Sequence, residues 1–178
     1  MFNSILRPRG GYTGDRAHGY EEKLLAQLAD VYRVAFFLLG NQRAAADAVE
    51  RAYLEFGQTG GQHGRGLSLR ADLLRRLLAA AEQVRRAPGR REPSAAISPE
   101  AGCLFRVPRA LRTAVILDAI GLEVEEIAEV TGLPAAAVLH RLQAGWDSYF
   151  AASSEGALPA RLPRAHVLRC LLNTATLC

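Results

Sequence analysis

Arginine is the residue through which this chain can do most chemistry. Arg65, Arg70, Arg75, Arg76, Arg85, Arg86, Arg90 and Arg91 face only Asp72, Glu82 and Glu92 in the same stretch. Such a basic stripe is the electrostatic footprint of a phosphate-backbone binder, although a solvated helix running into a basic linker has the same composition. A second constellation lies between Gly121 and Trp146, GLEVEEIAEVTGLPAAAVLHRLQAGW. It reads as a helix, a glycine turn and a second helix. Glu125, Glu126 and Glu129 share one side of the first helix, while Ile127, Ala128 and Val130 point inward. Thr131-Gly132 stops that helix, because glycine takes the left-handed conformation at little cost. Pro134 opens the next, where its missing N–H does no harm. Val138 and Leu142 then pack the second helix onto the first. This is a helix-turn-helix plan, whose second helix enters the major groove in proteins that read DNA.

Other reactive residue types assemble into nothing comparable. Carboxylates at a helix N-terminus are favoured by the helix dipole, which accounts for Glu125, Glu126 and Glu129 without a catalytic role. His166 and Cys170 share a helical face at i and i+4 but lack a further ligand pair, so no metal site is expected. Cys103, Cys170 and Cys178 are an odd number at spacings that match no zinc motif, and a disulfide scaffold is not expected. GGYTG at Gly10 lacks the lysine and hydroxyl of a phosphate loop. No nucleophile has a plausible base, so the sequence reads as neither an enzyme nor a cofactor or small-molecule binder.

These groups must be positioned by helices. Of 178 residues, 49% are hydrophobic and only 7% aromatic, with Leu, Ala and Arg dominant, which predicts an all-α protein. The formal net charge of +4 favours anionic partners, and Lys23 is the only lysine. Residues 1–19, rich in Gly and Arg, read as a loose arm. Leu24, Leu28, Val31, Ala35 and Leu38 give a helix from about Tyr20 to Leu39, ended by Gly40. Asn41 is a suitable N-cap for a second helix to Phe56, with Ala45, Ala48, Val49, Ala52, Tyr53 and Phe56 inward. After the loop at 57–66, Leu69, Leu73, Leu77, Ala80, Ala81 and Val84 predict a third helix from Ser68 to Arg86. Pro, Gly, Ser and charge over 87–101 read as a linker. The expected plan is therefore two small helical domains, 20–86 and 105–152, joined by a linker over 87–104. In the second domain a helix over Pro108–Asp118 precedes the helix-turn-helix. The tail, 153–178, could add a short helix around Ala165–Leu172. MFNSILRPRGGYTG has no apolar signal core, and no apolar run reaches the roughly 20 residues of a membrane span, so a cytoplasmic, reduced protein is expected.

Two segments resemble the extracytoplasmic-function (ECF) group of σ70-type factors. LLGNQRAAADAVERAYLEF, Leu38 to Phe56, is similar to region 2, with Gly40, Ala45, Asp47, Val49 and Tyr53 in the pattern positions. VPRALRTAVILDAIGLEVEEIAEVTGLPAAAVLHRL is similar to region 4 through Pro108, Gly121, Leu122, Glu126, Ile127, Ala128, Gly132, Val138, Arg141 and Leu142. The resemblance implies three partners: core RNA polymerase, promoter DNA and an anti-σ protein. It implies that Asp47, Glu50 and Arg51 face the polymerase. It places Arg75, Arg76, Arg85 and Arg86 on the −10 backbone, and Arg141, His140 and Gln143 in the −35 major groove.

The chain departs from that pattern where bases are read. Ala137, Leu139 and Ala144 stand where the family carries threonine, lysine and arginine, and alanine and leucine offer bases only apolar contact. Residues 57–104 contain no Phe, Tyr or Trp, so the stacking that holds unpaired bases, about 1–3 kcal/mol each, is missing there. Gly145 is expected to weaken the second helix by roughly 1 kcal/mol relative to alanine. An alternative reading follows: a σ-like interaction module that binds an anti-σ or other regulatory partner without reading promoters. A third is a helix-turn-helix regulator independent of polymerase, acting as a symmetric dimer.

Overall fold

A computed structural model describes residues 14–59, 68–87 and 99–154. Among these the protein is all-α, with no strand and seven helices: α1 Gly14–Leu39, α2 Gln42–Gln58, α3 Leu69–Arg86, α4 Pro99–Arg106, α5 Arg109–Ala119, α6 Val124–Thr131 and α7 Ala135–Ser154.

Local chemistry sets most of these boundaries. Gly40 closes α1 in the left-handed conformation, φ 69°. The Asn41 side chain then accepts a hydrogen bond from the Ala44 N–H at 2.9 Å, satisfying a donor that the first turn of α2 would leave orphaned. Ser68 does the same for α3 through the Ala71 N–H. The buried face of α2 is Ala44, Ala45, Ala48, Val49, Ala52, Tyr53 and Phe56. Its alanines let α1 and α3 approach closely, while Tyr53 donates to the Leu24 carbonyl at 3.0 Å and fastens α2 to α1. Leu73, Leu74 and Leu77 of α3 are fully buried, each contributing about 1.5–3 kcal/mol through removal from water.

The second half is organised by α5 and α7, which pack on each other while α6 braces α7. Val115, Ile116 and Leu117 are completely buried. The Trp146 indole N–H donates to the Asp118 carboxylate at 2.9 Å, and its ring stacks on Phe150 at 5.9 Å.

Three features differ from the sequence expectation. Helix α1 begins at Gly14, so residues 14–19 belong to it and not to an arm; glycine costs a helix about 1 kcal/mol, too little to stop one that continues for many turns. Helix α4 occupies part of the stretch 87–104 that reads as a linker. Pro99 is its first residue, where proline is tolerated, and Leu104 is buried as α4 lies along α7. Gly145 is not a weak point in α7 but its crossing point over α5: it is buried, and a Cβ there would sit 2.6 Å from Val115 Cγ2 and 3.2 Å from the Leu111 carbonyl oxygen.

Contacts also cross between the helices before and after residues 87–98. α3 lies against α6, and α1 against α4 and α5. Arg70 of α3 donates to the Ile120 carbonyl at 2.7 Å and to Asp30 of α1 at 3.3 Å. Glu82 of α3 pairs with Arg109 of α5. Phe105 of α4 packs against Gly40, where an added Cβ would approach its ring to 3.1 Å. The possible helix at Ala165–Leu172, and with it His166, Cys170 and Cys178, lies outside the described residues, as do Arg65, Arg90 and Arg91.

Candidate nucleic-acid and polymerase interface

The helix-turn-helix is built as its residues suggest. Glu123 N–H donates to the Glu126 carboxylate at 3.0 Å, closing the first turn of α6. Gly132 ends α6 at φ 69°, with its N–H on the Ala128 carbonyl at 2.8 Å. Ile127, Val130, Val138 and Leu142 are buried between α6, α7 and the helices beneath; Ala128 is only half-buried. With these positions inward, one solvent face runs down α7 through Ala135, Ala136, Leu139, His140, Gln143 and Asp147. His140 and Gln143 are on it. Arg141 is half-buried at its flank, and among the described residues no hydrogen bond or ion pair holds it. Leu139 is 56% exposed and stands in the middle of the face. This surface can touch a thymine methyl or an apolar partner, but it presents few hydrogen-bonding groups to base edges.

Arg75, Arg76, Arg85 and Arg86 of α3 separate into different roles. Asp72 is completely buried and is held by Arg75 and Arg76, each at 3.1 Å. Arg76 is only 11% exposed, lies over the Phe56 ring at 5.4 Å and reaches Glu55. Its guanidinium is committed to the interior, because a buried carboxylate without a cation would be costly. Arg75, Arg85 and Arg86 remain accessible. The last two sit on Glu82, which also receives Arg109. Hydrogen bonds first from Arg85 and then from Arg109 hold the Glu82 carboxyl down to about 2, against an ordinary 4.5. Arg112 nearby is pulled below its ordinary value by burial and then by the Arg109 charge. It donates to the Phe105 and Val107 carbonyls at 2.8 and 3.0 Å and lies over the Phe105 ring at 5.0 Å, capping the end of α4.

On α2, Asp47 is half-buried and Glu50 and Arg51 are exposed, all on the side away from α1 and α3. Leu54 continues that stripe at helical spacing and is 37% exposed. It could have been found from the sequence by extending the Asp47, Glu50, Arg51 spacing by one more step. Arg109 and Glu82 could not, because their meeting depends on how α3 and α5 pack. Among the described residues no group of three His, Cys, Asp or Glu side chains gathers to hold a metal, and no helix is long and apolar enough to cross a membrane.

No protein-family model matches the sequence. No curated protein matches it either. Among solved structures, the chain is similar to the sigma factor RpoE of Bartonella quintana, crystallised in complex with the anti-sigma factor NepR. The TM-score is 0.63 at 19% identity, covering 76% of this chain and 97% of that chain. At this identity the likeness is one of fold: the helices described above follow the fold of that sigma factor.

Proposed function

We propose that this chain is a σ-like transcription initiation factor. In this reading α1–α3 form the unit that docks on core RNA polymerase through Asp47, Glu50, Arg51 and Leu54 of α2. The accessible arginines of α3 hold promoter phosphates, and α5–α7 form the unit that sets α7 in the major groove. The observation that carries the reading is the pairing of an intact helix-turn-helix with an outward arginine-bearing helix on a sigma-factor fold. Phosphate contacts position a protein on DNA without reading sequence. With Arg141, His140, Gln143 and Asp147 as the polar groups on or beside the α7 face, promoter choice rests on few contacts. A partner of the anti-sigma class is part of the proposal, since the similar fold was crystallised with one.

The exposed Leu139 favours a second reading, in which the face of α7 meets an apolar protein surface and the chain is an interaction module that does not read promoters. Affinity capture separates the two. The full chain should retain purified core RNA polymerase, and Leu54→Asp with Glu50→Arg should abolish retention while leaving the helical circular dichroism intact. Capture of a small helical partner without any core polymerase would favour the second reading and overturn the first.

A further inference from the structure

Glu82 holds more positive charge than one carboxylate balances. Arg85 donates to it at 2.6 Å, Arg86 at 2.9 Å, and Arg109 reaches it from α5. Three guanidiniums around one carboxylate leave two positive charges crowded at the surface, and the side chains of the arginines are between 46% and 74% exposed. Exposed ion pairs stabilise a fold little, so stability alone gives small reason for this gathering. A planar guanidinium matches the oxygens of a phosphate by paired hydrogen bonds, and an incoming anion would relieve the mutual repulsion. On the same outward face of α3, Arg75 lies about 16 Å from Arg86 along the axis, at 1.5 Å per residue. The outward face of α3 therefore carries Arg75 near its start and, about three turns on, a cluster completed by another helix.

We propose that Arg85, Arg86 and Arg109 form a phosphodiester-binding site spanning α3 and α5, in which the Glu82 carboxylate stands in for a DNA phosphate until DNA displaces it. The proposal deepens the DNA-holding role given to α3 above and rests on it. It adds Arg109, which belongs to the other half of the chain, and makes Glu82 an internal competitor. A DNA backbone bound there is gripped by both halves in the packed arrangement.

The test is fluorescence anisotropy of a labelled DNA duplex of arbitrary, non-promoter sequence, titrated with the full chain over a range of NaCl concentrations. Glu82→Gln should tighten binding on the order of fivefold at low salt and steepen the logarithmic salt dependence by about 0.9, the increment of one phosphate contact. Arg109→Ala should weaken binding and flatten that dependence by a similar amount. Arg43→Ala removes the same charge from an exposed site on α2 and should leave the slope near wild type. Circular dichroism melts check that each variant is folded. An unchanged affinity in Glu82→Gln, or an Arg109→Ala slope equal to that of Arg43→Ala, overturns the proposal. Because the duplex carries no promoter, a chain that passes this test yet supports no transcription defeats only the σ-like reading. A chain that supports transcription with an unaltered Arg109→Ala slope defeats only the site.

Discussion

Gly145 of α7 lies so close to Val115 of α5 that the two helices leave no space for a side chain between them. On helix propensity alone, alanine at 145 should strengthen α7 by roughly 1 kcal/mol. The crossing reverses the sign. Gly145→Ala should destabilise the chain by about 1–3 kcal/mol, as overpacking of a full core does. The denaturant midpoint monitored by Trp146 fluorescence measures it, and combining the change with Val115→Ala should recover much of the loss.

A different pair tests the contact between the N-terminal helices and α4. Gly40 combines a left-handed backbone with the Phe105 ring close by, whereas Gly132 has the same φ and open space around its Cβ position. Gly132→Ala should cost about 1–2 kcal/mol, the backbone penalty alone. Gly40→Ala should cost more, and Phe105→Ala should remove the excess in a double-mutant cycle. Equal costs at the two glycines would show that Phe105 does not press on Gly40 in solution.

The Glu82 cluster makes stability depend on acid in a defined window. The folded carboxyl is held down to about 2 from an ordinary 4.5. A depressed pKa means that the stabilising effect is fully present above about pH 4.5 and is lost as the pH falls towards 2. The melting temperature of the wild type should therefore fall more steeply across this window than that of Glu82→Gln. The difference should be small, because the cluster faces solvent, and it should shrink in high salt.

Arg141 is the side chain beside the α7 face best able to make a paired contact with guanine. Arg141→Ala should cost about 1–3 kcal/mol of base discrimination, and retention on core polymerase should not change. Competition between promoter and scrambled duplexes in a binding assay checks this. If the ratio does not move, Arg141 does not read bases.

Asn41, Gly40 and Gly132 mark helix ends through local chemistry, and their roles were legible in the sequence because a cap or a left-handed turn needs only its near neighbours. The apolar faces of α2 and α3 followed from helical spacing. Helix α4 was not legible: Pro, Gly, Ser and charge around it mimic a linker, and it is held by α7 and by Arg112, which are distant in sequence. Arg76 looked like its neighbours, yet it serves Asp72, an acid at a position the simple apolar pattern did not mark as buried. The Glu82–Arg109 pair, likewise, exists only once α3 and α5 are packed.

The most direct measurement is transcription in a purified system: core RNA polymerase, the full chain, and a template carrying the region upstream of the chain's own gene. A σ-like factor should yield a discrete transcript that requires the chain and starts at a fixed position. Transcripts should be lost with the α2 variants that abolish core binding and reduced with Arg141→Ala. Firm binding to core polymerase with no transcript from this or any genomic template would contradict the σ-like role and leave the interaction module as the function of the fold.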